Sequence, residues 1–154
     1  MKTKNKFIVS IRKFSFKDLS RIMEIERNSF TADIFSENTF LSLYRRCSNL
    51  FIAAEVDKII TGYMVTCSYW KRGRVISIAV DPIYRRKGIG SALVNFTLNQ
   101  LRASYIKTLE LEVRITNSEG ICFWKSLGFF ILKIVPNYYI DGTDALIMRK
   151  LIKS

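Results

Sequence analysis

The chain has 154 residues, 49% of them hydrophobic, enough for one ordinary domain to bury a core without metal or disulfide staples. Its net charge of +12 favours polyanionic partners: nucleic acid, a phosphorylated cofactor or an anionic surface. Histidine is absent, which excludes Ser-His-Asp and Cys-His pairs, HExxH zinc sites and any imidazole base, and leaves proton transfer to carboxylate, Tyr, Lys, Cys or water.

In chain order, the basic start MKTKNKFIVSIRKF offers about five apolar residues before Arg12, too few for a secretory signal. A strand is expected at 7 to 13. Ser15, with Asp18 three residues on, forms a capping-box pattern that opens a helix with Leu19, Ile22, Met23 and Ile25 or Glu26 on its apolar face. A loop at 30 to 35 leads to a second helix begun by Ser36, with Phe40, Leu41 and Tyr44 on its apolar side. LFIAAEV (50 to 56) and IITGYMVTCSYW (59 to 70) read as a hairpin turning near Asp57 and Lys58, and RVISIAV (74 to 80) as a third strand. From Gly88 to about Ala103, residues Ile89, Leu93, Phe96, Leu98 and Leu101 approximate a helix face. LELEV (109 to 113) alternates as a half-buried strand, a short helix over 117 to 127 stops at Gly128, and final strands cover 129 to 135 and 144 to 151. The sum is a mixed α/β domain around one mostly antiparallel sheet.

Cys47, Cys67 and Cys122 are odd in number, far apart and outside CxxC pairs, so they read as small buried hydrophobes rather than a disulfide framework or a zinc site, and no metal is expected. No apolar run reaches the roughly 18 residues of a membrane span, so a soluble cytoplasmic protein without a membrane partner is expected. The basic residues are scattered and no nucleic-acid reading motif is present, so no specific nucleic acid is expected either.

YRRKGIGSALV (84 to 94) sets Arg85, Arg86 and Lys87 before a Gly88-Ile89-Gly90 turn that runs into a helix. The first N-H groups of a helix lack internal acceptors and the dipole is positive there, so a glycine-rich entry suits an anion. The P-loop sequence GxxxxGK[ST] is missing, and the third glycine of GxGxxG is replaced by Leu93, which removes support for ATP and NAD.

VDPIYRRKGIGSALV resembles the acyl-CoA pyrophosphate loop of the Gcn5-related N-acetyltransferase (GNAT) superfamily, [QR]-x-x-G-x-[GA], at Arg85, Gly88 and Gly90. LEVRITNSEGICFWKSLGF (111 to 129) is similar to that family's downstream segment at Leu111, Glu112, Val113, Arg114, Asn117, Phe123, Gly128 and Phe129. NYYIDGTDALIM (137 to 148) is similar to the tail of the protein amino-terminal acetyltransferases, including those acting on alanine of ribosomal proteins. The resemblance implies a single-domain GNAT fold over 1–154, with a mixed, mostly antiparallel sheet of about seven strands flanked by about four helices. It implies acetyl-CoA as cosubstrate. The backbone of about 86 to 91 (Arg86, Lys87, Gly88, Ile89, Gly90, Ser91) would bind its pyrophosphate with help from Arg85, while Ile78, Ala79 and Val80 line the pantetheine arm and Asn117 and Trp124 complete the cofactor set.

The reaction so implied is attack of a neutral amine on the thioester through a tetrahedral intermediate, with backbone N-H near Ala79 and Val80 as oxyanion donors. Glu112 matches the general-base position. In LELEV the glutamates Glu110 and Glu112 share one face, about 7 Å apart, where their mutual field and partial burial would raise a carboxylate pKa; solvated sheet-face carboxylates are the alternative. Trp124 stands where many relatives carry a tyrosine acid; its indole donates a hydrogen bond but not its proton. An α-amine with a pKa near 8 is about one-tenth neutral at pH 7, and lysine near 10.4 roughly once in a few thousand, so a single carboxylate suits the α-amine better. Phe30 and Phe35 are candidate pocket walls for the first residues of a peptide N-terminus, although Thr31 replaces the family's proline, and Tyr138 and Tyr139 match a pair that holds the peptide backbone. The acceptor expected is therefore a protein N-terminus, with ribosome association one setting for it. Lysine or small-amine acetylation, and a non-catalytic acyl-CoA or nucleic-acid-binding module, are the alternatives.

Overall fold

The structure, a computed structural model, describes residues 7–154; the basic start at residues 1–6 lies outside them. Among the described residues the elements run β1 (Ser10–Lys13), α1 (Leu19–Ser29), α2 (Glu37–Cys47), β2 (Phe51–Val56), β3 (Ile59–Tyr69), β4 (Arg72–Val80), α3 (Ile89–Ala103), β5 (Thr108–Arg114), α4 (Ser118–Ser126), β6 (Phe130–Val135) and β7 (Ala145–Leu151). The strands hydrogen-bond in the order β1-β2-β3-β4-β5-β7-β6. The pairs β1–β2, β2–β3, β5–β7 and β6–β7 are antiparallel, and β4–β5 is parallel. This is the mixed seven-stranded fold that the sequence predicts, with β1 starting at Ser10 rather than residue 7 and β4 at Arg72 rather than residue 74.

Local chemistry sets these boundaries. The Asp18 carboxylate accepts the Ser15 N-H at 2.8 Å and both ends of the Arg12 guanidinium at 2.7 and 2.9 Å, closing the capping box; chiefly through Arg12, it sits below the usual carboxylate range. A single 3-10 turn at Phe16–Asp18 then hands over to α1. Ser36 caps α2 through the Thr39 N-H at 3.2 Å, and Asn117 caps α4 through the Gly120 N-H at 2.9 Å. Asp57 and Lys58, with φ of 51° and 64°, make the two-residue turn between β2 and β3. Gly128, at φ 88°, stops α4 as expected.

Two compact units are distinguished. The first comprises the chain to Thr66 and Ser77–Thr97. Its core joins Ile22 and Ile25 of α1, Phe40 and Leu43 of α2, β2 and the middle of β3, with Phe14 stacked on Phe51 at 4.1 Å and Phe40 edge-on to Tyr63 at 5.6 Å. On α2 the buried face is Phe40 and Leu43, whereas Leu41 and Tyr44 are half-buried. The second unit comprises Cys67–Ile76 and Leu98–Ser154. Leu109, Leu111 and Val113 of β5 bury one sheet face with Leu146 and Met148 of β7, beside Trp124 and Phe129. Each large side chain so buried contributes about 1.5–3 kcal/mol.

The cysteines depart from expectation. Cys47 and Cys67 are disulfide-bonded and half-buried, while Cys122 is free and exposed. None of the three is the small buried hydrophobe that the spacing suggests. Among the described residues no helix is long and apolar enough to cross a membrane.

Candidate active site

In the first unit, the end of β4 is tied down before the basic stretch begins. The Asp81 N-H donates to the Thr61 carbonyl at 2.8 Å, and a Cβ on Gly62 would lie 2.9 Å from the Ala79 carbonyl, so only glycine lets β3 approach β4 here. Buried Asp81 accepts from Arg21 at 2.5 Å and from the Ile83 N-H at 3.1 Å. Burial alone would raise its pKa, but the Ile83 and Arg21 hydrogen bonds outweigh it and hold the carboxyl below its ordinary value. Sequence reasoning missed Arg21, Gly62 and Asp81; the Asp-Pro pair at 81 and 82 and the glycine inside a strand were the available signals.

Ala79 is buried, with Ile78 and Val80 half-buried on either side of it. Arg85 folds back, its Nε donating to the Val80 carbonyl at 3.1 Å. Arg86 adopts φ 59°, and Lys87 places its ammonium 4.5 Å from the centre of the Phe7 ring. Gly88 has φ 79°, and an added Cβ would meet nothing within 4 Å. The Ala92 N-H donates to the Gly88 carbonyl at 3.0 Å, so the N-H groups of Ile89, Gly90 and Ser91 precede the helical ladder. The Ile89 side chain itself is buried, and Gly90 and Ser91 are half-buried.

Phe30 and Phe35 flank an exposed loop in which Asp33 has φ 57°. Phe35 is half-buried, edge-on to Phe40 at 5.7 Å, and its N-H donates to Glu26 Oε1 at 3.0 Å; Phe30 is more exposed. Glu26, 1% exposed, also accepts from the Tyr63 hydroxyl, which lies 2.9 Å from Ser77 Oγ of β4. Burial raises the Glu26 pKa against the pull of Tyr63 and the Phe35 N-H, and burial with the Glu26 charge raises that of Tyr63 well above its usual value. The network is invisible to local spacing, because Glu26 occupies an ordinary helix-face position.

In the second unit, Glu110, Glu112 and Arg114 alternate with buried leucine and valine along β5, so the two glutamates share a face as expected. Their environment differs from expectation. Glu110 is ion-paired with Arg149, and Glu112 with Arg74 at 2.5 Å, so each carboxylate meets an arginine rather than only its like-charged neighbour. Glu112 and Tyr138 together lift the Arg74 pKa against the opposing effect of burial. Arg114 pairs with Asp141 at 2.8 Å and lies 4.0 Å from the centre of the Tyr139 ring, which is edge-on to Tyr138 at 5.0 Å. Arg74, Glu112 and Arg114 thus come together on the strands, and the loop between β6 and β7 adds Tyr138 beside Arg74 and Tyr139 beside Arg114. Arg74 was missed in the sequence because its pairing depends on the β4–β5 register, Arg74 opposite Glu110. Asn117 spends its side-chain oxygen on capping α4, and Trp124 is 5% exposed between Phe123 and Phe129 at 4.9 and 5.0 Å.

Residues 19–129 match the family described as "Acetyltransferase (GNAT) family". An N-alpha-acetyltransferase of Sulfurisphaera tokodaii is 33% identical over 90% of this chain and 90% of its own. The ribosomal protein bS18-alanine N-acetyltransferase of Escherichia coli K12 is 35% identical over 85% of this chain and 89% of its own. Among solved structures, Ard1 from Thermoplasma volcanium superposes with a TM-score of 0.90 at 33% identity, covering 95% of this chain and 99% of that one.

Proposed function

The chain belongs to the GNAT family of acetyltransferases and is an N-acetyltransferase, and from that premise we propose that it acts, as one domain over 1–154, on the N-terminal α-amine of a protein or peptide with acetyl-CoA as cosubstrate. The observation that carries the cofactor half is Gly88, whose positive φ and open surroundings leave the start of α3 accessible to an anion. The residues present fit the group. Backbone N-H groups of 86 to 91, with Arg85, Arg86 and Lys87, hold the pyrophosphate, and Ile78, Ala79 and Val80 line the arm that follows. Asn117 and Trp124 join the cofactor contacts, Trp124 through packing rather than proton transfer. Bound acetyl-CoA supplies an acetyl group activated as a thioester.

Glu112 accepts the proton of the acceptor amine, while Arg74 holds its carboxylate in place. Tyr138 and Tyr139 hold the peptide backbone, and Phe30 and Phe35 contact its first side chains. The α-amine acceptor is supported by the relatives' names, and a ribosome-associated, cytoplasmic setting by the bS18 specificity of the Escherichia coli relative. Purified protein incubated with acetyl-CoA and peptides bearing free or blocked N-termini, all with internal lysines, tests the reading by mass spectrometry. Acetyl groups should appear at free N-termini alone. Modification of lysine in the blocked peptides would move the assignment to a lysine acetyltransferase, and acetyl-CoA binding without transfer would leave only the binding module.

A further inference from the structure

At one end of the second unit, three stretches distant in sequence are laced together by hydrogen bonds to backbone carbonyls. The Lys107 N-H donates to the Lys71 carbonyl at 2.7 Å, the Ile152 N-H to the Lys107 carbonyl at 2.8 Å, and Arg102 Nε to the Lys153 carbonyl at 2.8 Å. The stretches 67–76, 98–108 and 150–154 bring Lys71, Arg72, Arg102, Lys107 and Lys153 together and contain no Asp or Glu. All five are exposed. Charges scattered along the chain are thereby concentrated by the fold into one cationic end.

Aromatic rings stand in the same place. Tyr69 and Trp70 are each 80% exposed and meet edge-to-face with centroids 6.5 Å apart; Tyr105 is 76% exposed. Trp70 has φ 57°, a conformation that bulky residues rarely adopt, so the turn holds an indole outward at a position where Gly or Asn would fold more easily. Exposed rings on stretches that carry cations and no acids match the chemistry of a single strand, whose bases stack and whose phosphates are neutralised.

We propose that this end of the second unit binds single-stranded nucleic acid without base readout, bases stacking on Tyr69, Trp70 and Tyr105 and phosphates contacting Lys71, Arg72 and Lys107. An anionic bilayer would also attract the cations, but interfacial insertion takes a continuous apolar face, and of the large aliphatic side chains in these stretches only Leu151 is exposed. The proposal is independent of the acetyl-transfer reading.

The test uses the full chain with fluorescein-labelled oligouridylate, oligoadenylate and oligothymidylate, each 12 nucleotides long, read by anisotropy between 50 and 200 mM salt. Binding should weaken linearly in log–log form, with a slope of about −0.7 for each phosphate engaged. Trp70→Asn, chosen because asparagine accepts the positive φ, should lower affinity roughly 10-fold and leave the slope unchanged. Lys71→Gln with Arg72→Gln should make the slope shallower by about 1.4. A melting midpoint no lower than wild type in both variants certifies the fold. Equal binding of all three strands supports a surface without readout. The proposal is overturned by absence of binding at 50 mM salt, by unchanged affinity in Trp70→Asn, or by Trp70-dependent capture on phosphatidylserine vesicles without oligonucleotide binding.

Discussion

Glu26 shows how much of the chemistry lies in single residues. A carboxylate in the core of the first unit is tolerated because Tyr63 and the Phe35 N-H donate to it, yet burial still raises its pKa. Since the folded state then holds the proton more tightly than the unfolded chain, the associated stability is fully present below the ordinary value near 4.5 and is lost as pH rises through the higher folded value. Glu26→Gln removes the titration: its amide oxygen still accepts from the Phe35 N-H, while its NH2 replaces the second oxygen and donates to the Tyr63 hydroxyl, whose own proton turns to Ser77 Oγ. Urea unfolding from pH 4 to 8 should show wild type losing ground to the variant by up to about 1.4 kcal/mol per pH unit in that window, and parallel curves would contradict the assignment. Residues with a period were legible in the sequence, Glu110 and Glu112 among them, because β5 alternates. Their partners Arg149 and Arg74 were not, since each ion pair crosses between strands that only the register brings together.

Among the elements, ends announced by side chains could be read directly. Asp18, Ser36, Asn117 and Gly128 each stand at a boundary because each satisfies a backbone group, for Asp18 the Ser15 N-H, or a positive φ. Buried faces were read less well. Val94 and Thr97 lie on the buried face of α3 although the apolar pattern passed over both, Thr97 being admitted by a hydrogen bond to the Met64 sulfur at 3.5 Å. The glycine entry to α3 invites a paired substitution. Gly88→Ala and Gly88→Glu both force a Cβ onto φ 79° and should lose similar stability, about 1 kcal/mol, since the added atom meets nothing. Only the glutamate places negative charge where the pyrophosphate is assigned, so calorimetry with acetyl-CoA should find binding weakened about 100-fold or more beyond the alanine variant. Equal affinities in the two would remove the loop from the cofactor site.

Across the whole molecule, the net charge of +12 indicated polyanions without saying where they bind, because charge has no address until the chain folds. The cysteines misled for the same reason: spacing carries no information about which thiols meet. A thiol reagent applied in denaturant should find one free thiol, Cys122, and the other two only after reduction. Dithiothreitol should lower unfolding stability by about 2–4 kcal/mol, and a Cys47→Ser, Cys67→Ser double variant should match the reduced protein and ignore the reagent. Three thiols before reduction would refute this. The parallel β4–β5 pair has a consequence of a different sort. Parallel neighbours cannot be joined by a tight turn, so the chain must leave the sheet and return through an excursion of about a dozen residues or more. Here residues 81–107 make that return, and RRKGIG lies at its outbound end. The candidate cofactor loop is therefore no appendage to be pruned from a minimal version of this protein, since it is part of a connection that the parallel pair cannot do without.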